Sequence, residues 1–150
     1  MINNPTARGK RTEARVLAAL VDAGKSVLLP WSDERFDFVV DECGTFYRLQ
    51  VKTGCLKDGY VLSRTVSVRS QGAHRRTYEG EVDFFAVYCP DNQRVYLVPA
   101  DPLPKEMASL RLTAPRNGQT HGIRWARDFE LTPERLTTLF APGFVSSCSP

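Results

Sequence analysis

The chain's 150 residues are 42% hydrophobic, enough for one domain (1–150) with a single core and too apolar for a disordered chain. No apolar run nears the roughly 20 residues that cross a bilayer, so no membrane partner is expected. The net charge of +3 is too small to dictate a partner, but basic residues cluster in "ARGKRTEAR", "SRTVSVRSQGAHRR" and "APRNGQTHGIRWAR". Such clusters suit a polyanion such as nucleic acid, with solvated loops as the bland alternative. In chain order, "PTARGKRTEARVLAALVDAGK" sets Val16, Leu17, Leu20 and Val21 at helical spacing. It predicts an amphipathic helix from about Thr6 or Gly9 to Ala23, with Gly24 past its end. "VLAALV" after basic residues faintly resembles a signal peptide, but Asp22 and Lys25 interrupt it, and a cytoplasmic protein is expected. "SVLLPW" reads as a buried strand or extended entry segment that Pro30 limits. A hairpin follows over about 35–41 and 46–53. "GYVLSRTVSVRS" reads as a strand or extended basic arm and "SQGAHRRTYEG" as a loop. "VDFFAVYCP" is the most apolar strand, paired with "QRVYLVPA" across "CPDNQ". "LPKEMASL" predicts a short second helix and "TAPRNGQTHG" a loop. "LTPERLTTLF" predicts a helix capped by Thr132 with Pro133 first, before a frayed tail. The order describes an α/β fold around one mixed sheet.

The four cysteines (Cys43, Cys55, Cys89, Cys148) form no CxxC pair, and with two histidines, His74 and His121, they do not describe a zinc site. Spacing leaves a disulfide open; buried or idle thiols are the expectation.

The hairpin carries the chemistry. Phe46, Arg48, Gln50 and Lys52 share one strand face, while Tyr47, Leu49 and Val51 form the apolar, core-side face. A tight turn centred on Cys43-Gly44, the glycine supplying the unusual dihedral, pairs Asp41 with Phe46, Val39 with Arg48 and Asp37 with Gln50. Paired residues point to the same face with β-carbons roughly 5 Å apart. Asp37 then offers a carboxylate, Gln50 an amide oxygen and Val51 its backbone carbonyl to a hard cation such as Mg²⁺ or Mn²⁺. Lys52, next along the face, can hold an attacking water or stabilise charge on a phosphoryl transition state.

Asp37 followed by Gln50-Val51-Lys52, with Glu13 in a preceding helix, resembles the PD-(D/E)XK nuclease superfamily. Phe36 stands where the family name has proline, and Gln50 where it has an acid. The Gln-x-Lys variant, with "EGEVDFFAVYCPDNQRVYLVPAD" and "LRLTAPRNGQTHGIRWARDFEL" downstream, is similar to the group I intron-encoded homing endonucleases of this fold. The resemblance implies a restriction-endonuclease-like core, a mixed β-sheet flanked by helices. It implies Asp37 and Gln50 as metal ligands and Lys52 as the catalytic lysine. Glu13 would complete the acidic cluster directly or through water; without the resemblance it would be a surface partner of Arg8 or Arg15. The implied activity is metal-dependent endonuclease cleavage of double-stranded DNA by a symmetric homodimer or homotetramer. A Holliday-junction resolvase on the same fold and a non-catalytic DNA-binding module are the alternatives.

DNA contacts are expected from Ser63, Arg64, Thr65, Ser67 and Arg69 along the basic arm and from His74, Arg75 and Arg76 beside it. Tyr78 and Trp125 read as core aromatics that could also stack on bases. Asp83, in an apolar run, reads as a hydrogen-bonded structural acid.

Overall fold

Helix α1 spans Pro5–Asp22 in the computed structural model, which describes residues 4–65, 67–68, 75–101 and 106–132. Asn4 caps it by accepting from the Thr6 amide at 3.0 Å, and Pro5 fills the first position, where no N–H is needed. At the other end the Gly24 amide donates to the Val21 carbonyl and the Lys25 amide to that of Leu20, with Gly24 at φ +77°. That is a Schellman stop, and it needs the glycine. The buried stripe is Thr12, Val16 and Leu20; Val21, expected with them, is 55% exposed.

Strands β1 (Ser26–Leu28), β2 (Phe38–Glu42) and β3 (Thr45–Thr53) follow as an antiparallel meander. The β2–β3 register pairs Asp41 with Phe46 and Val39 with Arg48, as the turn at Cys43-Gly44 requires. Both turn residues, not the glycine alone, have positive φ (52° and 86°), the type I′ geometry that matches strand twist. β1 is an edge strand rather than a buried one: Leu28, Leu29 and Trp31 are exposed.

β4 (Cys55–Lys57) and β5 (Tyr60–Arg64) form a second hairpin about Asp58-Gly59, again with both φ positive. That Asp-Gly is a strong hairpin signal which the strand reading of "GYVLSRTVSVRS" passes over. Two-residue strands β6 (Ser67–Val68) and β7 (Arg75–Arg76) pair antiparallel. β8 (Phe84–Cys89) runs parallel to β3 and antiparallel to β9 (Arg94–Pro99), which completes the five-stranded mixed sheet β1-β2-β3-β8-β9.

The segment expected to form a second helix is instead β10 (Met107–Arg111), antiparallel to β5 in a three-stranded sheet with β4. Its pattern alternates: Ala108 and Leu110 are buried, Met107 and Ser109 exposed. The open edge of β5 supplies the partner that local propensity could not anticipate. A four-residue helix, α2 (Ala126–Phe129), follows. The helix expected over "LTPERLTTLF" and the frayed tail lie, from residue 133 on, outside the described residues.

The sheet is buried on both faces. Leu49, Val51, Phe84 and Ala86 pack with Val16 and Leu20 of α1, which is the core side expected for Leu49 and Val51. Phe85, Val87 and Cys89 pack on the opposite face with Val61, Ala108, Leu110, Tyr78 and Ala126. Burial on both sides is why "FFAVYC" is an unbroken apolar run. Cys55 is exposed and free and Cys89 buried and free, whereas Cys43 is disulfide-bonded, a departure from idle thiols throughout. No helix among the described residues is long and apolar enough to cross a membrane.

Candidate active site

Asp37 sits one residue before β2, its amide donating to the Leu49 carbonyl at 2.8 Å. That bond turns its carboxylate across the sheet face toward β3. Asp37 Oδ2 accepts from the Val51 amide at 2.7 Å and from Gln50 Nε2 at 2.8 Å. The same Gln50 nitrogen lies 3.4 Å from the Val51 carbonyl. The structure therefore brings together Asp37, Gln50 and Val51, but through the Asp37 side chain: the paired register of β2 and β3 ends at Phe38–Leu49, so Asp37, expected within the strand and opposite Gln50, reaches β3 from just before it.

Lys52 lies on the Gln50 face, and its Nζ donates to the Tyr78 hydroxyl at 3.0 Å. Tyr78 is buried, with the Lys52 nitrogen 4.6 Å and the Arg35 guanidinium carbon 4.0 Å from its ring centroid. Arg35 is held in turn by Glu81 at 2.6 Å and the Thr77 carbonyl at 3.0 Å. Tyr78 is thus a core residue whose polar end reaches the site.

Glu13 pairs with Lys10 at 2.8 Å, not with Arg8 or Arg15, and it lies close enough to Asp37 to act on its ionisation. Burial raises the Asp37 pKa first; the Val51 N–H bond lowers it, Glu13 raises it again, and Lys52 and Lys10 draw it down. α1 is fixed over the end of β3 by a 2.7 Å bond between the Thr12 and Thr53 hydroxyls. Sequence spacing gives no sign of this bond or of the Lys52–Tyr78 one, since each joins residues far apart along the chain.

A metal ion here would be held by Asp37, the Gln50 side-chain oxygen and the Val51 carbonyl. Gln50 Nε2 lies between the Asp37 carboxylate and the Val51 carbonyl, as a donor where a cation would face the same two oxygens. Half a turn of the amide presents its oxygen instead. A half-buried carboxylate beside a second one also gains from a positive charge. The residues fit such an ion, although no group of three or more His, Cys, Asp or Glu converges among the described residues.

The basic arm is more divided. Ser63 and Thr65 are buried, facing inward from β5, while Arg64 between them is exposed. Ser67, Arg75 and Arg76 lie on the β6–β7 pair, whose side chains are outside the described residues, as are Arg69 and His74 altogether. Asp83 accepts from the Arg48 amide at 2.7 Å and from its guanidinium at 3.2 and 3.3 Å, a structural role. Trp125 is partly buried, 5.1 Å from the Arg127 guanidinium.

Among curated proteins none matches the chain. Among solved structures, a bacterial homing endonuclease, I-Ssp6803I, matches with a TM-score of 0.69 and 20% identity, covering 85% of this chain and 89% of that one. At that identity the likeness shows the fold alone, a mixed sheet with helices. The PD-(D/E)XK endonuclease family matches over residues 3–132, a span that includes α1, the hairpin, Lys52 and β8–β9. With that much of the chain accounted for, this protein belongs to the PD-(D/E)XK endonuclease family.

Proposed function

We propose that the chain is a metal-dependent DNA endonuclease of homing type, hydrolysing phosphodiester bonds in double-stranded DNA at a recognised sequence. The observation that carries this reading is the meeting of Asp37, Gln50 and the Val51 carbonyl beside Lys52. A bound Mg²⁺ or Mn²⁺ supplies an acidified water and neutralises charge on the scissile phosphate. Asp37 and Gln50 orient the reacting group against the sheet face. Lys52, aimed by the Tyr78 hydroxyl, places an ammonium where negative charge grows in the transition state. Glu13 extends the acidic side of the site from α1.

Arg64 on β5, with Ser63 and Thr65 beside it and Ser67, Arg69, His74, Arg75 and Arg76 beyond, forms the DNA arm. Its arginines serve base recognition or phosphate neutralisation, and its hydroxyls phosphate positioning. Thr65 is fully buried as it stands, so its part is to hold the arm. One chain carries one such site, and a double-strand break therefore takes a symmetric homodimer or homotetramer with one protomer per strand.

The test is incubation of purified protein with supercoiled DNA and with a four-way junction, in Mg²⁺ or in EDTA. The expected result is Mg²⁺-dependent cutting of duplex. Cutting confined to the junction replaces this reading with a junction resolvase. Binding without cutting under any condition replaces it with a non-catalytic module.

A further inference from the structure

A cleft of about 400 Å³ opens beside Lys52, between the first turns of α1 and strand β5. Arg8, Lys52 and Arg64 line it, and no acidic residue does among those described. Neither Arg8 nor Arg64 takes part in an ion pair among the described residues. Lys52 is partly offset by Asp37, but two unpaired guanidiniums on a concave wall concentrate positive potential and favour an anion there.

The wall also holds an unsatisfied donor. Ser63 is 4% exposed and lines the cleft, and its Oγ is a buried side-chain atom with no hydrogen-bond partner. Most buried hydroxyls in native proteins are paired, so an orphan on the wall of a basic cleft calls for a ligand.

The cleft is built, not incidental. A Cβ on Gly54 would stand 2.8 Å from Val87 Cγ1 and 3.3 Å from both Val61 Cγ1 and the Leu62 carbonyl, so only glycine lets β5 close on the sheet here. Thr12, bonded to Thr53 at 2.7 Å, also donates to the Arg8 carbonyl at 3.1 Å and sets the turn that carries Arg8. The contacts that place α1 and Lys52 therefore place this cleft as well.

We propose that the cleft is a phosphate subsite that takes a backbone phosphodiester of the bound duplex neighbouring the one attacked. Arg8 and Arg64 supply the charge and Ser63 Oγ the hydrogen bond. The assignment rests on the nuclease reading above and adds to it Arg8 and one defined cleft, in which Ser63 and Arg64 hold the same phosphate. Exposed Cys55 lines the same cleft and serves as a reporter.

The experiment uses the full chain in EDTA, so that nothing is cut. A fluorescent duplex of about two helical turns is titrated across a salt series, and iodoacetamide labelling of Cys55 is followed by mass spectrometry with and without that duplex. Saturating duplex is expected to slow Cys55 labelling about tenfold, whereas inorganic phosphate at millimolar concentration does not. Arg8→Ala should lower the log-log salt slope by about 1 and lose the protection, and Arg8→Lys should retain both. Ser63→Ala gives the sharper sign. It removes an orphan hydroxyl, so the melting temperature should hold or rise by roughly 2–4 °C, while duplex affinity falls about three- to tenfold. Duplex binding by the wild type that neither variant weakens, with Cys55 labelled at its free rate, overturns the subsite and leaves the nuclease reading standing. Protection by phosphate but not by duplex overturns it in favour of a small-anion pocket. A wild type that binds no duplex at any salt overturns both readings.

Discussion

Asp37 is the residue in which folding and chemistry conflict. Its pKa is raised, first by burial and then, against the pull of the Val51 amide, by Glu13. Between the ordinary aspartate value and this raised one, the folded protein holds a proton that the unfolded chain has released. Stability therefore falls as pH rises through that window, and the ionised carboxylate costs stability at neutral pH. Asp37→Asn should melt higher than wild type at pH 7 without divalent cation, with the gap closing as pH drops below the ordinary aspartate range. A lower melting temperature at pH 7 would mean that the bonds from Val51 and Gln50 outweigh the burial cost. Mg²⁺ should raise the melting temperature of the wild type and not that of Asp37→Asn. Gln50 is tested by a pair. Gln50→Glu should bind Mg²⁺ more tightly in calorimetry, lose stability without it by like-charge repulsion, and still cut. Gln50→Leu keeps the length without an oxygen and should abolish single-turnover cleavage at saturating DNA. Full activity in Gln50→Leu removes the side chain from the ligand set.

At the scale of elements, the end of β3 is the joint on which the site depends. Gly54 has no room for a side chain against Val87, Val61 and the Leu62 carbonyl. Gly54→Ala must push β5 off the sheet or strain β8, at about 1–3 kcal/mol in urea unfolding. Because Gly54 follows Lys52 and Thr53, cleavage should fall with stability. Unchanged stability would show that β5 can retreat freely. Thr12→Val keeps the volume but breaks the bond to Thr53, and should cost about 1 kcal/mol. Element identity was readable where local chemistry is decisive. Gly24 ends α1 where expected, while its start is Pro5 rather than Thr6 or Gly9, and Cys43-Gly44 sets the hairpin register from Phe38–Leu49 to Glu42–Thr45. It was not readable at Met107–Arg111, whose residues suit a helix or a strand equally until β5 offers an unpaired edge. At β1 the strand was readable but its burial was not: it lies on the sheet edge, and Leu28, Leu29 and Trp31 are exposed.

For the whole molecule, the proposed single site per chain makes strand scission a count of competent protomers. Lys52→Met removes the ammonium while keeping the aliphatic stem, and should fold and bind yet cut about a hundredfold more slowly or less. Mixed with wild type before assembly, it should convert linear product into nicked circles on gels of supercoiled substrate. Linear product that falls with dilution and leaves no nicks would show that one protomer cuts both strands. Sequence alone determined the helix at the start and the hairpin register next to the turn, because each follows from neighbours a few residues apart and from strand periodicity, and it nominated Asp37, Gln50 and Lys52 as candidates. Only the tertiary structure decided that Lys52 bonds Tyr78, that Thr12 and Thr53 seat α1, that Ser63 and Thr65 turn inward and that Arg8 and Arg64 line one cleft. Those contacts join residues brought together by burial rather than by spacing, and burial belongs to the packed sheet as a whole, which no local stretch of the chain encodes.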